Sequence, residues 1–400
     1  MNKSLEEIAH IFSGIDYKMN PPGDSVPIYG TGGIMGYTSI PLYQGPAVLS
    51  GRKGSINKPI YVEGDFWNVD TIFCIKANEN IDTKWLYYNF QNTDLTKLIE
   101  ATGVPSVNSK SLYKLEFKWF EPDEQQRIAK ILSTSDAVIE KTQAAIAKYK
   151  AIKQGMLHDL FTRGIDTTTN KLRPRFEDAP QLYKESKMGM IPKEWEEKSL
   201  EDSTDYVDYR GKTPPKSDFG VFLVTAKNIR FGFIDYEISK EFIREDAFEN
   251  AMSRGKVKNS DVLFTTEAPL GNVAQINRED VALAQRVIKY RGLEGLLHND
   301  FLALTLMSDG FRRQLFSEST GTTVQGIKGS RLHKLKIGIP QIEEQNSIVK
   351  YLLAIDNKLQ TEQTYLHKMQ LLKKGLMEDL LSGRKKILIS DNTNEDADTN

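Results

Sequence analysis

The residues best able to do chemistry are scattered through this chain, and each familiar catalytic arrangement fails on spacing. Asn20, Pro21 and Pro22 stand in a row in MNPPGD, like the start of a loop that grips a purine for methyl transfer. Gly23 occupies the place of the ring that must stack on the base, so a proline turn accounts for the triplet. Gly30, Gly32, Gly33 and Gly36 in YGTGGIMGY miss the dinucleotide-binding spacing and neither follow a buried strand nor open a helix, and a tight turn is expected. GTTVQGIKGS sets Gly321, Gly326 and Lys328 near a phosphate loop. An extra residue separates the last glycine from the lysine, and no strand-to-helix junction follows. His10, His158, His298, His333 and His367 do not pair at metal-ligand spacing, and no G-x-S-x-G elbow occurs. The single cysteine, Cys74, lies in TIFCIKA and reads as a small buried hydrophobe. No catalytic residue, metal site or cofactor is therefore expected in this chain.

Recognition chemistry is better represented. Arg52, Lys53, Ser55, Asn57 and Lys58 share the loop SGRKGSINK, and Asn108 follows in VNSKS. The second half offers Arg210, Lys212 and Thr213 in DYRGKTPPKS, Lys227, Asn228 and Arg230 in TAKNIR, and Gln325 and Lys328 in VQGIKGS. Lysine and arginine suit phosphate oxygens, while arginine, asparagine, glutamine and threonine suit base edges. A solvated loop explains any one of these residues, but together they make a candidate nucleic-acid-binding face. The net charge of −1 hides an asymmetry: Asp391, Glu395, Asp396 and Asp398 in the terminal ILISDNTNEDADTN have no base among them, which leaves +3 for the rest. A weakly positive body permits nucleic-acid binding without demanding it. With no run of about 18 apolar residues and no apolar leader in MNKSLEEIAH, a cytoplasmic protein without membrane contact is expected.

The elements that must position these loops are written twice. The stretch from Glu124 to Gly164 returns 220 residues later as Glu344 to Arg384, with 12 of 41 positions identical. Ile128, Leu132, Ile139, Ile146, Tyr149, Met156 and Leu160 fall on one frame of three- and four-residue steps. Ile348, Leu352, Ile355, Leu359, Leu366, Met369, Leu376 and Leu380 repeat it. Such a seam cannot be hidden by one helix, so the two long helices are expected to pair, with Ile128, Leu132, Ile139, Ile146 and Leu160 against Ile348, Leu352, Leu359, Leu366 and Leu380. KSLE also occurs twice, at Lys3 and Lys198, and β-rich runs such as PAVLSG and DVLFTTEAP alternate with turns. Each half offers one further amphipathic helix, from Asp82 and from Asn299.

The expected organisation is a globular segment over 1–121, a long helix over 122–163, a polar connection over 164–195, a second globular segment over 196–341, a second long helix over 342–384 and an acidic disordered tail over 385–400. The fold class is α+β: two similar domains joined by two long helices in an antiparallel coiled coil, a tandem repeat with a pseudo-two-fold axis. At about 1.5 Å per residue the seam extends roughly 50 Å, the length of about 15 base pairs. Charging Leu132 and Leu352 together is expected to abolish assembly of other subunits on the paired helices while leaving both heads folded.

WEEKSLEDSTDYVDYRGKTPPKS, DVLFTTEAPLGNVA, GTTVQGIKGSRLHKLKIGIPQIEEQNSIVKYL, the ending GLMEDLLSGR and the first-half echo EQQRIAKIL…KQGMLHDLFTRG resemble the specificity subunit of type I restriction-modification systems over nearly the whole chain. The resemblance implies two target recognition domains, each reading half of a split DNA site. It also implies helices that act as ruler and docking surface for two methyltransferase subunits, with motor-nuclease subunits joining for restriction. S-adenosylmethionine, ATP and magnesium would belong to those partners. A self-sufficient methyltransferase or nuclease, and a coiled-coil scaffold with protein-binding modules, are the alternative readings.

Overall fold

Alternating apolar residues, the signature of strands buried on one or both faces, build the first head around a four-stranded antiparallel sheet. Its order is Ala9–Ser13, Ile72–Ala77, Ala47–Gly51, Ile60–Val62. Val48, Phe73 and Ile75 face a helical layer, while Ala47, Leu49, Ile72 and Cys74 face a second sheet. That second sheet runs Gly33–Thr38, Pro22–Gly30, Asp65–Asn68, Tyr43–Gln44, with a parallel pairing at its centre. Burial pushes the Cys74 thiol up to about 12, as befits an inert core side chain. The computed structural model describes residues 1–99, 105–209, 214–321 and 325–385, so Arg210, Lys212 and Thr213 lie outside the described residues. No helix among the described residues is long and apolar enough to cross a membrane.

The second head repeats this plan with different side chains. Its antiparallel sheet runs Thr204–Asp208, Val287–Gly292, Val262–Thr265, Val273–Gln275, again between a helical layer that takes Val262, Phe264 and Ile288 and a second sheet that takes Leu263 and Val287. The KSLE repeats do the same work in both. Ser4 ends the strand Asn2–Ser4, pairs with Glu116 and caps the short helix Leu5–Ile8; Ser199 ends Glu196–Ser199, pairs with Lys336, 220 residues beyond Glu116, and caps Leu200–Ser203. The glycine-rich YGTGGIMGY is a hairpin turn between Pro22–Gly30 and Gly33–Thr38, with Gly33 at φ +110°.

The two long helices, Pro122–Thr162 and Ile342–Ser382, form an antiparallel coiled coil. The chain divides into two compact units, Met1–Ala145 with Glu362–Asn400, and Ile146–Thr361. Within each unit the start of one long helix lies beside the end of the other. In the first, Ile128 and Leu132 share an apolar cluster with Met377, Leu380 and Leu381. In the second, Ile348 and Leu352 share one with Leu160 and Phe161. Ile146 and Leu359 are also buried, and Ile139 and Leu366 are half-buried. A charged pair recurs in each unit at the same offset: Lys373 Nζ lies 2.5 Å from Asp136 in one, and Lys153 Nζ 2.5 Å from Asp356 in the other. These lysines interrupt the apolar seam, so a register slip would leave a half-buried ammonium unpaired. The Tyr88 hydroxyl donates to Asp136 over 2.7 Å, and burial together with that carboxylate raises it far above its ordinary range.

Three expectations are corrected. Each amphipathic helix beyond the long ones is broken: Thr83–Asn92 gives way to a 3₁₀ turn over Leu95–Leu98, and Asn299–Met307 stops before Asp309–Glu318. The breaks fall at Thr93-Asp94 and Ser308-Asp309, where Asp94 and Ser308 accept from the backbone N–H groups of Thr96 and Phe311 and so cap the next helix. The segment 164–195 is no loose connection, since it carries two strand pairs and buries Ile165, Tyr183, Ile191 and Trp195 in the second unit. Finally, Leu132 and Leu352 are 0% exposed and belong to the head cores themselves, so charging them cannot spare the heads.

Candidate nucleic-acid interface

In the first head three segments meet at one edge. Arg52 donates its backbone N–H to Thr71 O and accepts from Val107 N, each at 2.9 Å, and Lys53 pairs with Ser106 as an isolated bridge. Gly54 closes the loop at φ +74°, and a Cβ there would lie 3.1 Å from Thr31 Oγ1 at the hairpin tip. The left-handed backbone favours glycine there, and a Cβ would crowd Thr31. The result brings the tip of the hairpin, the loop 52–58 and the segment 105–108 together. Arg52, Lys53 and Lys58 are exposed and make no ion pair with a described residue, which leaves them available to phosphate.

The amides behave differently. Asn57 accepts from Leu95 N at 2.7 Å and donates to Asp94 at 2.8 Å, so both ends of its side chain are committed to holding the loop. Asn108 accepts from Ser111 N at 2.7 Å as the cap of the short helix Ser109–Tyr113. Ser55 is half-buried in the same loop, beside a depression of about 470 Å³ that Asn57, Lys58 and Pro105 also line.

In the second head the equivalent face is built from loops 226–233 and 266–272 and the described residues 325–328. Asn272 Nδ2 donates to Ile229 O at 2.8 Å, Gly232 N donates to Val273 O at 2.8 Å, and Ile327 N donates to Thr266 O at 3.0 Å. Ser106 and Gly326, 220 residues apart, occupy matching bridges in the two heads. Lys227, Gln325 and Lys328 are exposed and Arg230 is half-buried, and none of the three cations makes an ion pair with a described residue. Asn228 is the exception and is corrected as a base reader. It is 0% exposed, accepts from Thr225 N and Oγ1, and donates to Asp235 O and Ser239 O. Its amide folds the loop and reaches no ligand.

Two features of these faces escaped the sequence. Arg312 lies over Phe231 at 5.0 Å and Phe316 at 5.2 Å, and donates to Gly271 O, which places a stacked guanidinium beside the 226–233 loop. The FRRQLF pattern marked only a helix. The first-head hairpin carries exposed Ile34, Met35 and Tyr37, apolar groups suited to thymine methyl or sugar contacts. Nothing in their local pattern separates them from an ordinary strand face.

Against this geometry stand the similarities to known proteins. A family model described as the type I restriction modification DNA specificity domain matches residues 1–149 and again 192–370. The chain is 28% identical over 324 residues to the type I restriction enzyme MjaVIII specificity subunit of Methanocaldococcus jannaschii, over 78% of this chain and 72% of that one. The type I restriction-modification S subunit from M. genitalium superposes with a TM-score of 0.61 at 15% identity, covering 95% of this chain and 96% of that one. A chain from a structural study of complex assembly and conformational transition in the type I R-M system gives 0.53 at 14% identity, covering 95% and 97%. At such identities the two structures speak for the fold alone.

Proposed function

Since the chain belongs to the type I restriction-modification DNA specificity family, and is thus a non-catalytic DNA-recognition subunit, we propose how its parts divide that task. Each head reads one half of a split double-stranded site, the first through 52–58 and 105–108 and the second through 226–233 and 325–328. The paired long helices set the gap between the halves and dock two methyltransferase subunits, to which motor-nuclease subunits add for restriction. S-adenosylmethionine, ATP and magnesium serve in those partners. Target recognition domains over 1–121 and 196–341 follow from the same reading. The observation that supports it is that each of the two like-folded heads carries exposed cations with no ion-pair partner among the described residues, on 52–58 in the first and at Lys227 and Lys328 in the second.

Two outcomes test the reading. Replacing Arg52 and Lys53 together by alanine is expected to lower the log–log salt slope of DNA binding by about 2, roughly 0.9 for each phosphate no longer neutralised. A slope equal to that of the unsubstituted protein, measured by titration at several salt concentrations, would remove this loop from the interface. Deleting seven residues from the middle of each long helix keeps the seam on the same face. At about 1.5 Å per residue it should shorten the accepted gap by about three base pairs, with the half-sites unaltered. Methylation of a DNA pool of varied gaps reads this directly, and an unchanged gap rules out the helices as the ruler.

A further inference from the structure

The same glutamine opens both long helices and makes the same bracket. Gln125 is 0% exposed; its Oε1 accepts from Asp82 N at 3.0 Å while its Nε2 donates to Phe120 O at 2.8 Å. Gln345, also 0% exposed, accepts from His298 N at 2.9 Å and donates to Pro340 O at 2.9 Å and Leu296 O at 2.8 Å. Phe120 and Pro340 are 220 residues apart and end the strand-side approach to each long helix. Asp82 and His298 are the residues that begin the first helix of each head's helical layer. A primary amide donates and accepts at once, which a carboxylate or an alkyl group cannot do here.

In the first unit the bracket continues to the candidate DNA face. The helix that starts at Asp82 runs to Asn92, Asp94 and Leu95 follow it, and these two are the partners of Asn57 in the loop that carries Arg52, Lys53 and Lys58. In the second unit the helix from His298 leads through Ser308 into the helix carrying Arg312, which bonds Gly271 and stacks on Phe231. Each glutamine thus stands between a long helix and the segment that holds the loops. We propose that Gln125 and Gln345 are positioning residues that fix the angle of each head on its own long helix, and through it how strictly the gap between half-sites is measured. This rests on the reading of the helices as spacer.

The test uses the full chain assembled with its methyltransferase subunits and a DNA pool with constant half-sites and gaps differing by one or two base pairs. Gln125→Leu leaves one N–H and one carbonyl without their side-chain partner, and Gln345→Leu one N–H and two carbonyls. Each is expected to lower discrimination between the native gap and its neighbours about tenfold, the factor one such loss can carry, with half-site preference unchanged. Gln125→Glu keeps an acceptor for Asp82 N but sets a buried carboxylate against the Phe120 carbonyl, so a larger loss in the same direction is expected. Ile75→Val, a core change that touches none of the glutamine hydrogen bonds, should lower the melting temperature and leave the gap profile intact. An unchanged profile in the glutamine variants would overturn the proposal, as would failure of both Gln125→Leu and Gln345→Leu to assemble, since the residues would then be structural only. Gap-blind methylation by the unsubstituted complex would instead sink the spacer reading, and this proposal with it.

Discussion

Leu132→Lys unfolds the first unit while the second survives: that is the result expected of a leucine that is 0% exposed and packed with Ile128, Leu112, Phe117 and Leu380 in one cluster. The substitution loses the burial of an apolar side chain, roughly 2–3 kcal/mol. It also forces an ammonium either to stay buried and neutral or to tear the cluster open, which takes the total to about 4 kcal/mol or more. Hydrogen exchange read by mass spectrometry should show lost protection over the described parts of 1–145 and 362–385, with the sheet of the second head still protected. Ile139→Lys and Leu366→Lys sit at half-buried seam positions and should cost far less, of order 1 kcal/mol. If Leu132→Lys leaves protection in the first unit unchanged, the shared core of head and helix is wrong. The contrast separates loss of pairing from loss of a head, which charging Leu132 and Leu352 together cannot do.

Glu344→Ala should be nearly as severe for the second unit. Glu344 is 3% exposed and accepts from Arg173 at 2.6 and 3.0 Å, from Ile165 N at 2.7 Å and from Trp195 Nε1 at 3.1 Å. Burial pulls the Arg173 guanidinium down, and the carboxylates of Glu344 and Glu194 more than offset it, leaving it above its ordinary value. Removing Glu344 leaves a guanidinium that is 8% exposed with only the exposed Glu194 as its ionic partner and orphans two N–H donors, a loss of about 3 kcal/mol. Urea denaturation followed by Trp195 fluorescence reads it. The pair Glu344→Leu with Arg173→Met removes both charges and should recover a substantial part, as replaced buried pairs do. No recovery would mean that the N–H groups of Ile165 and Trp195, not the weakened charge pairing of Arg173, dominate the loss.

Much of the fold lay open in the sequence because it is carried by local, periodic signals. The seam from Ile128 to Leu160 and its copy from Ile348 to Leu380 declare two long helices that must pair, since period and apolarity depend only on near neighbours. KSLE shows its strand end and cap for the same reason, the capping serine lying within three residues of the N–H it satisfies. The breaks at Thr93-Asp94 and Ser308-Asp309 were legible too, as cap residues, and were outweighed by the apolar stripe running through them.

The recognition faces were legible only in composition. Lys227 and Asn228 are adjacent and equally polar, yet one is exposed and the other is the buried knot of its loop, because the partners of Asn228 at Asp235 and Ser239 arrive only when the loop closes. Arg312 gains its place from Gly271 and Phe231, and Glu344 its meaning from Arg173, all of them residues far apart in the chain. Periodicity and capping bind a residue to its neighbours, so they can be read along the chain. Which polar side chain is consumed and which is left facing outward depends on distant segments meeting, and that is settled in three dimensions by packing and by the need to satisfy every buried polar group.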